Sequence, residues 1–231
     1  MDTINKIRLG LIAFAMWFVV LLGLTATAGI ANRSFKIADS DSVVCLDPDT
    51  NRIDLVKDSL IVEVDAYLKK CAPNTKLRGK DIVENCLYYD VDIAFVLAQA
   101  QIESNFGTAG IAKRTNSPWN VGAYDGRSAS TMIKKGYGYK DPNESISRYL
   151  ELLKTKYLVN GKNEYDMMKK YVTRGGVRYA SSRTYEYALT RTFNKINQNT
   201  RINELLNQYK VLMANECKDE PVVNDTSKIL A

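Results

Sequence analysis

The sequence predicts a mainly α-helical domain with a small irregular lobe, preceded by an N-terminal transmembrane or signal helix. Three observations predict it. Apolar residues recur at helical spacing through most of residues 53–212. Between residues 107 and 139 that period is lost, and Gly107, Gly110, Pro118, Gly122, Gly126, Gly136 and Gly138 punctuate the chain instead. Finally, the 22 residues from Leu9 to Ile30 carry no charge, which is length enough to span a bilayer.

Lys6 and Arg8 precede that apolar run, so the positive flank is expected to stay in the cytoplasm and send the remainder across. Ala26, Thr27 and Ala28 before Gly29 form a small-residue pattern, which makes cleavage near Ala28 the alternative to a retained anchor at residues 9–30. Either outcome places the rest of the chain outside the cytoplasm. Residues 1–30 are thus read as anchor or signal, 31–52 as a polar linker, 53–215 as the folded domain and 216–231 as a polar tail.

Within the domain, Leu55, Leu60, Ile61, Val64, Ala66 and Leu68 predict an amphipathic helix over Ile53–Cys71, ending before Ala72 and Pro73. A short helix is expected over Asp81–Tyr88. Asp90 or Asp92 then starts a third one, apolar on nearly every side from Val91 to Ala98 and stopped by Gly107. Asp141, with Pro142 at the first helical position and Glu144 at the third, predicts a capping box. In the helix it starts, Ile146, Tyr149, Leu150, Leu153 and Tyr157 share one face. A shorter helix is expected over Asn163–Val172, stopped by Gly175 and Gly176. Ser181 or Ser182 would cap another running to about Ile196, and Thr200 opens the last.

Charge and composition narrow the chemistry. The net charge of +6 suits an anionic surface, but the Lys and Arg residues are scattered and no nucleic-acid module is present. The chain has no histidine, which removes Ser-His-Asp and Cys-His nucleophile systems and HExxH zinc sites together. Cys45, Cys71, Cys86 and Cys217 lie far apart without a CxxC, which argues against a zinc cage; in an exported chain their even number suggests disulfides. No cofactor or metal is implied. Carboxylate or tyrosine chemistry is what remains.

Glu103 is the carboxylate best placed for it. It falls in the last turn of the buried helix, where unpaired carbonyls carry partial negative charge and Val96, Ile102 and Phe106 are apolar neighbours. Both effects disfavour the carboxylate and raise its pKa, the condition for a general acid.

The segment LAQAQIESNFG, Leu97 to Gly107, resembles the motif LAQAxxESxWG of the bacterial and phage peptidoglycan glucosaminidases, glycoside hydrolase family 73, with Phe106 in place of Trp. Three further segments resemble family patterns in the same order: TNSPWNVGAYDG at Thr115–Gly126, YKDPNESISRYLELL at Tyr139–Leu153, and RYASSRTYEYA at Arg178–Ala188. The resemblance implies a lysozyme-like fold whose irregular lobe forms one wall of a sugar cleft, and peptidoglycan glycan strands as the partner. It implies Glu103 as general acid and Tyr185 beside it, holding the substrate's acetamido group or a water. The matched segments put Gln99, Ser104, Phe106, Trp119, Asn120, Tyr124, Tyr139 and Tyr179 along the substrate. A second acid is common in the family, and Asp125 is the only carboxylate between Glu103 and Tyr139. It sits in a YDG triplet that reads equally well as a turn. The alternative is substrate assistance, in which the 2-acetamido group attacks its own anomeric carbon. A muramidase or lytic transglycosylase on the same fold, and a non-catalytic wall-binding protein, are the other readings.

Overall fold

The computed structural model describes residues 48–123, 126–169 and 179–219. The apolar segment at residues 9–30, Cys45, Tyr124, Asp125, Gly175, Gly176, the Cys217 side chain and the end of the tail lie outside what is described. Among the described residues there is no strand, and no helix is long and apolar enough to cross a membrane.

Helix α1, Pro48–Cys71, begins inside the stretch expected to be linker. Ile53, Leu60, Val64, Tyr67 and Leu68 are buried on one side of it, against α2 and the last helix, while Leu55 and Val62 face outward. Helix α2, Gly79–Tyr89, comes close to α1 because Gly79 has no side chain. A Cβ there would stand 2.7 Å from the Ile61 carbonyl oxygen, and the Gly79 N–H instead donates to Asp65 at 2.6 Å.

Helix α3, Ile93–Ser104, is the centre of the domain, with α2 and both C-terminal helices packed against it. Asp92 is its N-cap, accepting from the Phe95 N–H at 2.9 Å; Asp90 instead closes α2 in a left-handed conformation. Every residue from Ile93 to Ala100 is buried. Removing a Phe or Leu side chain from water contributes about 1.5–3 kcal/mol, so this run anchors the fold.

The lobe that follows holds two short helical pieces where none was expected: α4, Ala112–Thr115, and α5, Ala129–Lys134, the latter capped by Ser128. Asp141 caps the next element by accepting from the Asn143 N–H at 2.9 Å, but the capping box does not close. Glu144 accepts from Lys140, and the first turn, Pro142–Glu144, is a 3-10 turn leading into α6, Ser145–Leu152. Asn143 is occupied elsewhere, accepting from the Arg78 N–H and donating to the Lys76 carbonyl.

Among the described residues of the helix expected over 163–172 there is a single turn, α7, Glu164–Met167, closed by a reciprocal Asn163–Asp166 cap. Helix α8, Tyr185–Asn199, starts later than the serines suggested; Thr184 is its N-cap and makes no side-chain cap. Helix α9, Ile202–Asp219, runs past residue 215 into the stretch expected to be tail. Cys71 and Cys86 are free thiols, so the expected disulfide framework does not join these two.

Candidate active site

The site grows from the way α3 ends. Its stop is not Gly107 but the two residues before it: Asn105 and Phe106 both take left-handed backbone angles, φ 48° and 59°. Their N–H groups return to Gln101 and Ala100, which closes the helix and turns the chain sharply after Glu103. A bulky residue in that region is strained, and three contacts hold Phe106 there. Thr75 donates to its carbonyl at 2.7 Å, Tyr67 meets its ring edge-on at 6.1 Å, and the following Gly107 N–H donates to the Ser104 hydroxyl at 2.8 Å.

The returning chain is fastened across the end of α3. Ser104 donates to the Pro118 carbonyl at 2.6 Å, and the Trp119 indole N–H donates to the Val96 carbonyl at 3.0 Å. Asn120, next in line and itself left-handed at φ 51°, thereby reaches Glu103. Its side-chain amide donates to the Glu103 carbonyl at 3.0 Å and to the Glu103 Oε2 at 3.1 Å. One residue thus satisfies a last-turn carbonyl and the carboxylate together.

The opposite wall is aromatic. Tyr185, the first residue of α8, stacks on Tyr179 with ring centroids 5.6 Å apart, and Tyr179 donates to the Trp119 carbonyl at 3.1 Å. The Tyr185 hydroxyl receives a hydrogen bond from Gln99 at 2.9 Å and, beside Glu103, favours the charged form of that carboxyl.

Glu103 is half-buried and its pKa is raised, with burial as the leading cause. The Asn120 amide and the Tyr185 hydroxyl oppose that rise by stabilising the charged form. The Glu103 carbonyl, one of the last-turn groups expected to be unpaired, accepts a hydrogen bond from Asn120. Burial also pushes Tyr149, Tyr179 and Tyr185 well above the ordinary tyrosine value, so they remain neutral hydrogen-bonding groups. The arrangement is a carboxyl inclined to hold its proton between an amide and a phenol, which is the chemistry of proton donation.

The structure brings Glu103, Asn120, Tyr179 and Tyr185 together. It moves four expected substrate contacts into the interior. Trp119 is 0% exposed and stacked on Tyr149 at 4.8 Å, leaving no ring face for a sugar. Phe106 is 1% exposed and turned to Tyr67. Ser104 is a fastener of the turn, and Gln99 is enclosed between Tyr149 and Tyr185. Tyr139 is half-buried in the lobe, its backbone tied to Thr115 and to the Asn116 side chain. Tyr124 and Asp125 lie outside the described residues. Tyr149 was missed as a polar contributor, because its spacing marks only a core position of α6.

The sequence profile of the glucosaminidase family, described as mannosyl-glycoprotein endo-beta-N-acetylglucosaminidase, matches residues 79–198, more than half of the chain. The chain belongs to this family of glycoside hydrolases. No curated protein matches it. Among solved structures it is similar to autolysin E of S. Aureus, crystallised in complex with the muropeptide NAM-L-ALA-D-iGLU. That similarity has 22% identity and a TM-score of 0.48 over 59% of this chain, and it covers 66% of the other chain, just under two thirds of its length.

Proposed function

We propose that this member of the glucosaminidase family is a peptidoglycan hydrolase, an endo-β-N-acetylglucosaminidase that cuts β-1,4 bonds of the glycan strand with Glu103 as general acid. The observation that carries the proposal is the half-buried Glu103 carboxyl, raised in pKa by burial and held between Asn120 and Tyr185. Breaking a glycosidic bond requires a proton for the leaving oxygen, and burial favours the protonated form of the carboxyl that supplies it. The oxocarbenium-like centre must also be met. An amide and a phenol beside the acid suit substrate assistance, in which the 2-acetamido oxygen attacks the anomeric carbon while Tyr185 orients that group. The apolar segment at residues 9–30 supports a location outside the cytoplasm, either anchored or released.

The test is lysis of purified cell walls in a gel. The wild-type protein is expected to clear the gel and Glu103→Gln to leave it opaque; failure of the wild type would favour a wall-binding role. Mass analysis of the fragments assigns the bond, since a transglycosylase leaves a 1,6-anhydro end and a muramidase a reducing muramic acid. Asp125→Asn separates the two routes to the oxocarbenium-like centre. Substrate assistance predicts near wild-type lysis, whereas a loss as deep as that of Glu103→Gln would make Asp125 the second acid.

A further inference from the structure

We infer that Gln99 is a positioning residue that sets the direction of a buried hydrogen-bond chain, from Tyr149 through Gln99 and Tyr185 to Glu103, so that the Tyr185 hydroxyl proton points at the reacting carboxyl. The inference rests on the reading of Glu103 as the acid and deepens it by naming what orients its phenol partner.

The direction is set at the deepest member. Tyr149 is fully buried and stacked on Trp119, whose indole N–H is itself tied to Val96. Its hydroxyl carries one proton, and that proton goes to the Gln99 Oε1. The amide has one oxygen and one nitrogen, so an Oε1 facing Tyr149 leaves Nε2 facing Tyr185, to which it donates at 2.9 Å. Gln99 is 0% exposed, so water does not stand in for either partner. With its oxygen accepting from Gln99, the Tyr185 hydroxyl keeps its own proton free for another acceptor, and Glu103, whose charged form it favours, is the one the chain leads to. The reversed amide would strand the Tyr149 proton without an acceptor and would draw the Tyr185 proton inward, away from Glu103. An unmade buried hydrogen bond disfavours that state. Gln99 therefore does not touch a sugar; it acts through Tyr185.

Other titratable groups bear on this cluster. Tyr179 faces Tyr149, Tyr185 and Glu103, Tyr157 faces Tyr179, and Cys86 and Glu164 act on Tyr149 from α2 and α7. The substitutions chosen to test the chain add no charge among them.

The experiment is a double-mutant cycle with two readouts, turnover on solubilised peptidoglycan and the titration midpoint of the Glu103 carboxyl carbon followed by NMR. Gln99→Met is expected to lower kcat roughly tenfold with little change in KM, and to raise the Glu103 midpoint in the same direction as Tyr185→Phe. Combined with Tyr185→Phe it adds nothing to either readout. Tyr149→Phe keeps the stack on Trp119 and releases the amide. It shows a smaller loss that also disappears when residue 185 is Phe, and it carries the test if Gln99→Met does not fold. Additive losses, or an unshifted Glu103 midpoint in both single variants, overturn the inference. A wild-type protein that lyses no walls sinks the hydrolase reading instead, and the titration still decides the hydrogen-bond chain.

Discussion

The two halves of α3 are held in different ways. From Ile93 to Ala98 the helix buries apolar side chains against α2, α8 and α9, and none of those side chains makes a directed bond. From Gln99 onward, four residues reach other parts of the fold: Gln99 to Tyr149 and Tyr185, Gln101 to Tyr67 at 2.7 Å, and Glu103 and Ser104 to Asn120 and Pro118 of the returning loop. Packing depends on volume and tolerates exchange among similar shapes. A directed bond does not tolerate it, because the partner left behind is buried and unpaired. The first half thus supplies rigidity, and the second spends that rigidity on holding one carboxyl in place.

The difference can be broken from either side. The largest effect expected is chemical: Glu103→Gln should lower wall lysis by about 10²-fold or more while the fold persists, checked by lysis rate beside a circular-dichroism melt. In the first half, Leu97→Ala should cost about 2–5 kcal/mol of stability, read from denaturant unfolding, with the activity per folded molecule little changed. Ser104→Ala sits at the junction. It unpairs the Pro118 carbonyl and the Gly107 N–H, so a loss of about 1–3 kcal/mol should come with reduced activity, because Asn120 loses its footing. In the lobe, Gly122 adopts φ +75° and a Cβ there would lie 2.5 Å from the Tyr137 ring, so Gly122→Ala should destabilise by about 1–3 kcal/mol in the same unfolding assay.

The smallest effect has the opposite sign. A carboxyl whose pKa is raised on folding binds its proton more tightly in the native state, so its charged form weakens the fold as pH rises from the unfolded carboxylate value through the folded one. Glu103→Gln should therefore raise the melting temperature slightly at pH 7, by less than about 1 kcal/mol equivalent given partial solvent screening. That gain should vanish below about pH 4, where both states are protonated.

Much of the fold was legible in the chain. The apolar run of α3, the Asp92 cap, the Asp141–Pro142 start and the apolar face of α6 are local patterns, and local physics decides them. Boundaries failed where a tertiary bond competed with a local signal. Gly107 was the expected stop for α3, yet Asn105 and Phe106 end it because Thr75, Tyr67 and Ser104 hold the turn. The family motifs single out Glu103, Tyr185 and Asn120 as candidates, but that the Asn120 amide meets the Glu103 carboxyl needed the structure. Trp119 was misread because an aromatic ring in a lobe looks the same in sequence whether it meets a sugar or Tyr149.

By itself, the sequence determined which residues could carry proton chemistry and that a buried helix would deliver one of them, since composition excludes histidine and helical periodicity needs only neighbours along the chain. Only the tertiary structure decided which groups surround that carboxyl and which way their hydrogen bonds run. Asn120, Tyr149 and Tyr185 lie 17, 46 and 82 residues beyond Glu103, and no local pattern specifies the direction in which an amide between two tyrosines must face.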